Sequence, residues 1–211
     1  MKPNVITTPL FGNAPLWSLS YEWWFYMLYY PLTKFIPKDK QNQFVYTICI
    51  FACIWYIISH SFIPRILSYF VIWWAGVLIA RKYIKNRTHC LQHYKPILTI
   101  LVICTSILSI SIFKEELKGI GIHPLLELRH FAFSVIIIFM ALLWAKFKWK
   151  YFNNLIQPFS LLAPISYVLY IAHFPIMDQL PSPFSGVFKW LVSFTLLIII
   201  SFTIELKSYT Q

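Results

Sequence analysis

The chain has 211 residues and a net charge of +11, yet only 12% of its residues are charged and 59% are hydrophobic. Soluble domains carry about 25% charged residues, so this chain has too little polar surface to cover a water-soluble globule, and lipid is its favourable solvent. The Lys and Arg residues sit in gaps between apolar runs and form no single patch, which excludes a nucleic-acid surface and fits a membrane protein.

The first residues, MKPNVITTPLFGNAPLW, contain one Lys and no continuous apolar run, so they are not a secretory signal. They read as an extramembrane segment. A spanning helix needs about 20 mostly apolar residues. Seven stretches qualify, at 17–36, 44–63, 64–81, 97–113, 126–145, 160–179 and 187–206. The expected architecture is therefore an all-α polytopic membrane bundle of about seven transmembrane helices, a single domain over 1–211. Pro64 suits the first position of the third helix. The fourth stretch is the shortest. Arg81-Lys82 is expected to close the third helix and open a basic loop. Pro175 interrupts the sixth stretch and frees a backbone carbonyl.

Of the eighteen Lys and Arg residues, twelve fall on one side of these spans, among them Lys34, Lys38, Lys40, Arg81, Lys82, Lys85, Arg87 and Lys95. The other side has Lys2, Arg65, Lys114, Lys118, Arg129 and Lys189. The richer side is expected in the cytoplasm of a cell membrane. The C-terminus is then inside and the N-terminus outside. Of the four cysteines, Cys49, Cys53 and Cys104 lie in apolar runs and Cys90 in a basic loop. They read as free thiols, and no metal-type spacing accompanies them.

Ionisable residues within spans are costly, at roughly 2.5–3.5 kcal/mol on insertion scales, and so draw attention. Glu22 lies in WSLSYEWWFYMLYYPL. Ser18, Glu22 and Tyr26 are four apart and share a helical face, extended by Tyr29 and Tyr30. That stripe faces a polar cavity, or else it is an interfacial aromatic belt with one snorkelling carboxylate. His173 lies in SYVLYIAHFPI, on one face with Ser166 and Tyr170. It is either a site residue or a buried His bonded to a neighbouring helix. Glu22 would sit ~7.5 Å and His173 ~9 Å from the outer face. Arg129 and His130 start the fifth helix at a similar level, so these residues could surround one site. Alternatively Arg129 and Glu127 form a rim pair. Glu205, at the inner end of the last helix, reads as solvated.

These two segments carry a family resemblance. WSLSYEWWFYMLYYPL resembles the W-S-L-S-x-E-x-x-F-Y motif of acyltransferase family 3, the membrane O-acyltransferases that modify cell-surface carbohydrates. SYVLYIAHFPI resembles that family's S-Y-x-L-Y-x-x-H-x-P segment, and the terminal SFTIELK resembles its ending, with Leu206 and Lys207 departing from the pattern. The resemblance implies acetyl transfer from acetyl-CoA, or transfer from another acyl-CoA, to a carbohydrate hydroxyl on the outer side, with no metal. It implies Glu22 and His173 as catalytic residues. Ser18, Ser20, Tyr26, Tyr170 and Arg129 would bind substrate. The family carries further helices before the first motif, with a His and an Arg pair for which this chain has no counterpart. The chain is thus expected to be the C-terminal two-thirds of such a domain. A non-catalytic remnant shares this sequence reading. A transporter or flippase is the other alternative, but the inverted repeat common in transporters is not visible.

Overall fold

The computed structural model describes residues 17–86, 91–114, 123–179 and 185–209. The N-terminal segment 1–16, Arg87, Cys90 and Lys118 lie outside them. Among the described residues there is no strand. By internal packing the chain divides into two units, one of residues 22–150 and one of residues 1–21 with 151–211.

Residues 22–150 hold most of α1 (Trp17–Phe35), then α2 (Gln41–Ile58), α3 (Phe62–Asn86), α4 (Leu91–Lys114) and α5 (Leu125–Lys146). The connections in the first half are short, so successive helices run antiparallel. Pro37 lacks the N–H that would continue α1, and its carbonyl instead accepts the amides of Lys40 and Gln41 as α2 begins. Three residues, Ser59 to Ser61, separate α2 from α3. α2 packs between α3 and α4, and α5 packs on α4. α1 joins α3 through aromatic rings: Phe25 lies 5.8 Å from Phe70, and Tyr29 lies 5.6 Å from Trp73. The core of this unit includes Trp74, Tyr94, Leu101 and the three free thiols Cys49, Cys53 and Cys104, all buried. These cysteines act as small core residues, as expected.

Among the described residues, five helices are long and apolar enough to cross a membrane: α2, α3, α4, α5 and α8 (Gly186–Tyr209). Their outer faces are apolar too. Phe133, Ile136, Ile137 and Met140 on α5 are half or more exposed, as are Val187, Phe188, Trp190 and Leu191 on α8. Water would not tolerate such continuous patches on a lone soluble domain, whereas lipid matches them. The chain is an all-α membrane protein.

Two of the seven expected stretches are not among these five. α1 is a helix of the expected length, but its tyrosines, serines and Glu22 dilute its apolar character, and it is not among the five. The stretch 160–179 is not one helix. A short α6 (Phe152–Ile156) precedes it, and it holds the end of a 3-10 segment (Gln157–Leu162), then α7 (Ser166–Phe174) and a π turn (Pro175–Gln179). Pro158, Pro164 and Pro175 each remove a backbone donor, and the breaks follow them closely. Two boundaries also move. α4 starts at Leu91, six residues ahead of the expected start, and carries Pro96 inside it. α3 runs through Arg81-Lys82 to Asn86 instead of stopping there, and Pro64 stands third in it.

The unit of residues 1–21 and 151–211 contains α6, α7 and α8, with α8 packed along α7 and the π turn. The turn after α5 places Lys148, Trp149 and Tyr151 at φ of 54°, 55° and 65°. These are left-handed conformations that side chains larger than glycine rarely adopt. Trp144 braces the turn: its indole Nε1 donates to the Lys150 carbonyl at 2.9 Å, and its ring lies 5.4 Å from Trp149.

Candidate functional site

Three polar clusters stand out from the apolar bulk. The first gathers at the end of unit 22–150 where α2 finishes and α3 and α5 begin. Glu127, in the first turn of α5, is 1% exposed. Its Oε1 accepts from the Tyr56 hydroxyl on α2 at 3.0 Å and pairs with the Arg65 guanidinium on α3 at 2.8 Å. Its Oε2 lies 2.8 Å from His123 Nδ1, so Nδ1 carries the proton when the carboxylate is ionised. His123 packs 4.3 Å from His60, and both imidazoles meet the Tyr56 ring edge-on. One turn along, the Tyr69 hydroxyl bonds His130 Nδ1 at 2.7 Å, and Arg65 lies 6.0 Å from the Tyr69 ring. A buried carboxylate is tolerable only when paired and hydrogen-bonded. Here three chain segments supply the partners, so the cluster ties α2, α3 and α5 together at one end.

The second cluster holds the opposite end of the same unit. Arg81 donates from Nη1 to Gln41 Oε1 at 3.0 Å and from Nη2 to the Tyr29 hydroxyl at 3.1 Å. Its guanidinium lies 5.0 Å from the Trp74 ring. Trp74 Nε1 in turn donates to Asn42 Oδ1 at 3.1 Å. An Arg in this setting binds α1, α2 and α3 at once, using its planar fork and its affinity for aromatic faces.

The third cluster belongs to the other unit. Ser18, in the first turn of α1, hydrogen-bonds the Tyr170 hydroxyl of α7. His173, one turn after Tyr170, donates from Nδ1 to the Tyr170 carbonyl at 2.6 Å. A carbonyl can only accept, so the proton is on Nδ1 and a neutral His173 offers Nε2 as its basic atom. Tyr170→Phe keeps the ring and removes one hydroxyl. It is expected to cost about 1 kcal/mol, a fall of about 2–4 °C in melting temperature for a chain of this size. An unchanged melt would show that the Ser18–Tyr170 bond contributes nothing.

The sequence-derived candidates are distributed as follows. Ser18, Tyr170 and His173 come together. Ser166, expected on their stripe, instead bonds the Ala163 carbonyl at 2.8 Å and closes its own turn. Glu22 is exposed on α1. Tyr26, 56% exposed, turns its ring toward Trp73. Ser20 is half-buried. Arg129 is half-buried on α5, but the rim pair with Glu127 is not what forms. The Glu127 carboxylate faces Arg65 and His123, and residues two apart on a helix point to different faces. Reading the sequence missed the roles of Arg65, Tyr56, Tyr69, His60 and His123. The available signal was that Arg65 and Glu127 are both charged residues near the ends of apolar helices. Among the described residues, no group of His, Cys, Asp and Glu is arranged to hold a metal ion.

No curated protein and no solved structure matches the chain. A family model does: that of an acyltransferase domain, acyltransferase family 3, over residues 2–206. It takes in both sequence motifs, all three polar clusters and each of the five long apolar helices, and on that match the chain belongs to acyltransferase family 3.

Proposed function

We propose that this membrane acyltransferase transfers an acetyl group, or another short acyl group, from an acyl-CoA to a hydroxyl of a cell-surface or exported carbohydrate. The observation that carries the reading is the family match over residues 2–206. The chemistry asks for a base that takes the hydroxyl proton and for donors that stabilise the oxyanion as the oxygen attacks the thioester carbonyl; the carbon–sulfur bond then breaks and the CoA thiolate leaves, taking up the proton. His173 Nε2 is suited to take that proton, because Nδ1 is committed to the Tyr170 carbonyl. The Ser18 and Tyr170 hydroxyls stand one helical turn away and would orient the acceptor. Glu22 would act as a second base. Ser20, Tyr26 and Arg129 would contact substrate. The lysine-rich ends of α1, α3 and α5 would face the cytoplasm, the side from which an acyl-CoA would be supplied.

The test is transfer of label. Membranes from cells that express the chain receive acetyl-CoA labelled in the acetyl group, and the carbohydrate fraction is counted. Base-labile label above that of membranes lacking the chain is expected. Label that stays on the donor, with the chain present at high level, would remove the reading.

A further inference from the structure

Between α2, α3 and α4, where α2 and α4 begin, a cleft of about 500 Å³ opens. That volume is within the range of small-molecule sites. Its mouth is polar, with Asn42, Gln43, Lys82 and His93, and its floor is apolar, with Ile50, Leu78, Ile97 and Ile100. Along α2 the step from Asn42 to Ile50 is about 12 Å, so polar and apolar walls lie at different depths. An amphiphile with a polar head and an apolar body fits such a gradient.

Charge selects the head. Lys82 is held at the mouth: its Nζ donates to the His93 carbonyl at 2.7 Å and lies 5.3 Å from the Tyr94 ring centre. Lys38, Lys40, Lys85 and Lys95 stand at the same helix ends, whereas Asp39 is the one carboxylate among the lining residues. The field over the mouth is therefore positive. Basic pockets between membrane helices hold phosphate head groups.

We propose that this cleft binds an anionic, phosphate-bearing lipid, with the phosphate at Lys82 and the apolar body against Leu78, Ile97 and Ile100. The occupant argued for is an anionic phospholipid. The experiment reads binding, not turnover, so it is independent of acyl transfer. The full chain in detergent is titrated with dioctanoyl phosphatidylglycerol, with dioctanoyl phosphatidylcholine and with coenzyme A. Tight binding of the glycerol lipid, weakened about fivefold in Lys82→Met, assigns the site to anionic phospholipid. The same pattern with coenzyme A would mark the cleft as the acyl donor's own site and overturns the proposal. A glycerol lipid that binds no better than the zwitterionic choline lipid, or equally well to Lys82→Met, overturns the proposal. A salt titration on the unmodified chain guards against a variant that folds poorly. Affinity should fall as salt rises, and a salt-independent affinity also overturns the proposal.

Discussion

Glu127→Ala is expected to destabilise the protein by about 3–5 kcal/mol, the cost of removing one partner from a buried ion pair. The substitution leaves the Arg65 guanidinium without its carboxylate and takes the acceptor from Tyr56 and His123. The Arg65 side chain is 21% exposed and recovers some hydration, which favours the lower end of that range. Glu127→Gln keeps the shape and one acceptor oxygen, so its loss should be smaller. Removing both partners, as in Arg65→Met with Glu127→Leu, should cost less than the sum of the single changes, because no charge is then stranded. Thermal unfolding in detergent, followed by tryptophan fluorescence, measures all of these. If Glu127→Ala melts with the parent protein, the carboxylate is not the tie described above.

The second large effect is on rate. Glu22→Gln should lower acyl transfer by about a hundredfold or more, the usual contribution of a positioned acid–base group. It should leave membrane insertion and melting temperature unchanged. Glu22 is exposed on α1, and exposed substitutions usually stay within about 0.5 kcal/mol. A fall in kcat with little change in KM would indicate an interaction made only in the transition state. Transfer within threefold of the parent would take Glu22 out of the mechanism. The two variants thus separate cleanly. Glu127→Ala is expected to lose stability first, whereas Glu22→Gln is expected to lose chemistry alone.

Much of the fold is legible in hydropathy, and the exceptions have physical causes. α5 and α8 begin within a residue of their expected starts, because each is a long apolar run without an internal Pro. α4 is under-read because Pro96 looks like a helix start, although a Pro inside the helix is tolerated where another donor meets the freed carbonyls. The 160–179 stretch is over-read because its composition suits a span, while Pro164 and Pro175 inside it, and Pro158 just before it, break the hydrogen-bond ladder. The Glu127 cluster shows in sequence only short pairs at helical spacing, 56 with 60, 65 with 69 and 123 with 127, on three separate segments. Its members at 56, 60, 65, 69, 123, 127 and 130 converge only when α2, α3 and α5 do. By contrast, the pairing of Tyr170 with His173 was visible as a helical face because both lie on one short helix.

The broken stretch has a consequence for hydration. A helix of nine residues such as α7 rises about 14 Å, less than half of a hydrocarbon core of ~30 Å. If it enters the core, its last carbonyls and the π turn end partway through. Bare peptide groups cannot face acyl tails. They must meet protein or water instead. The histidine at the end of α7 would then stand where solvent reaches into the bilayer, so that a proton could be exchanged with bulk water from a position inside the membrane.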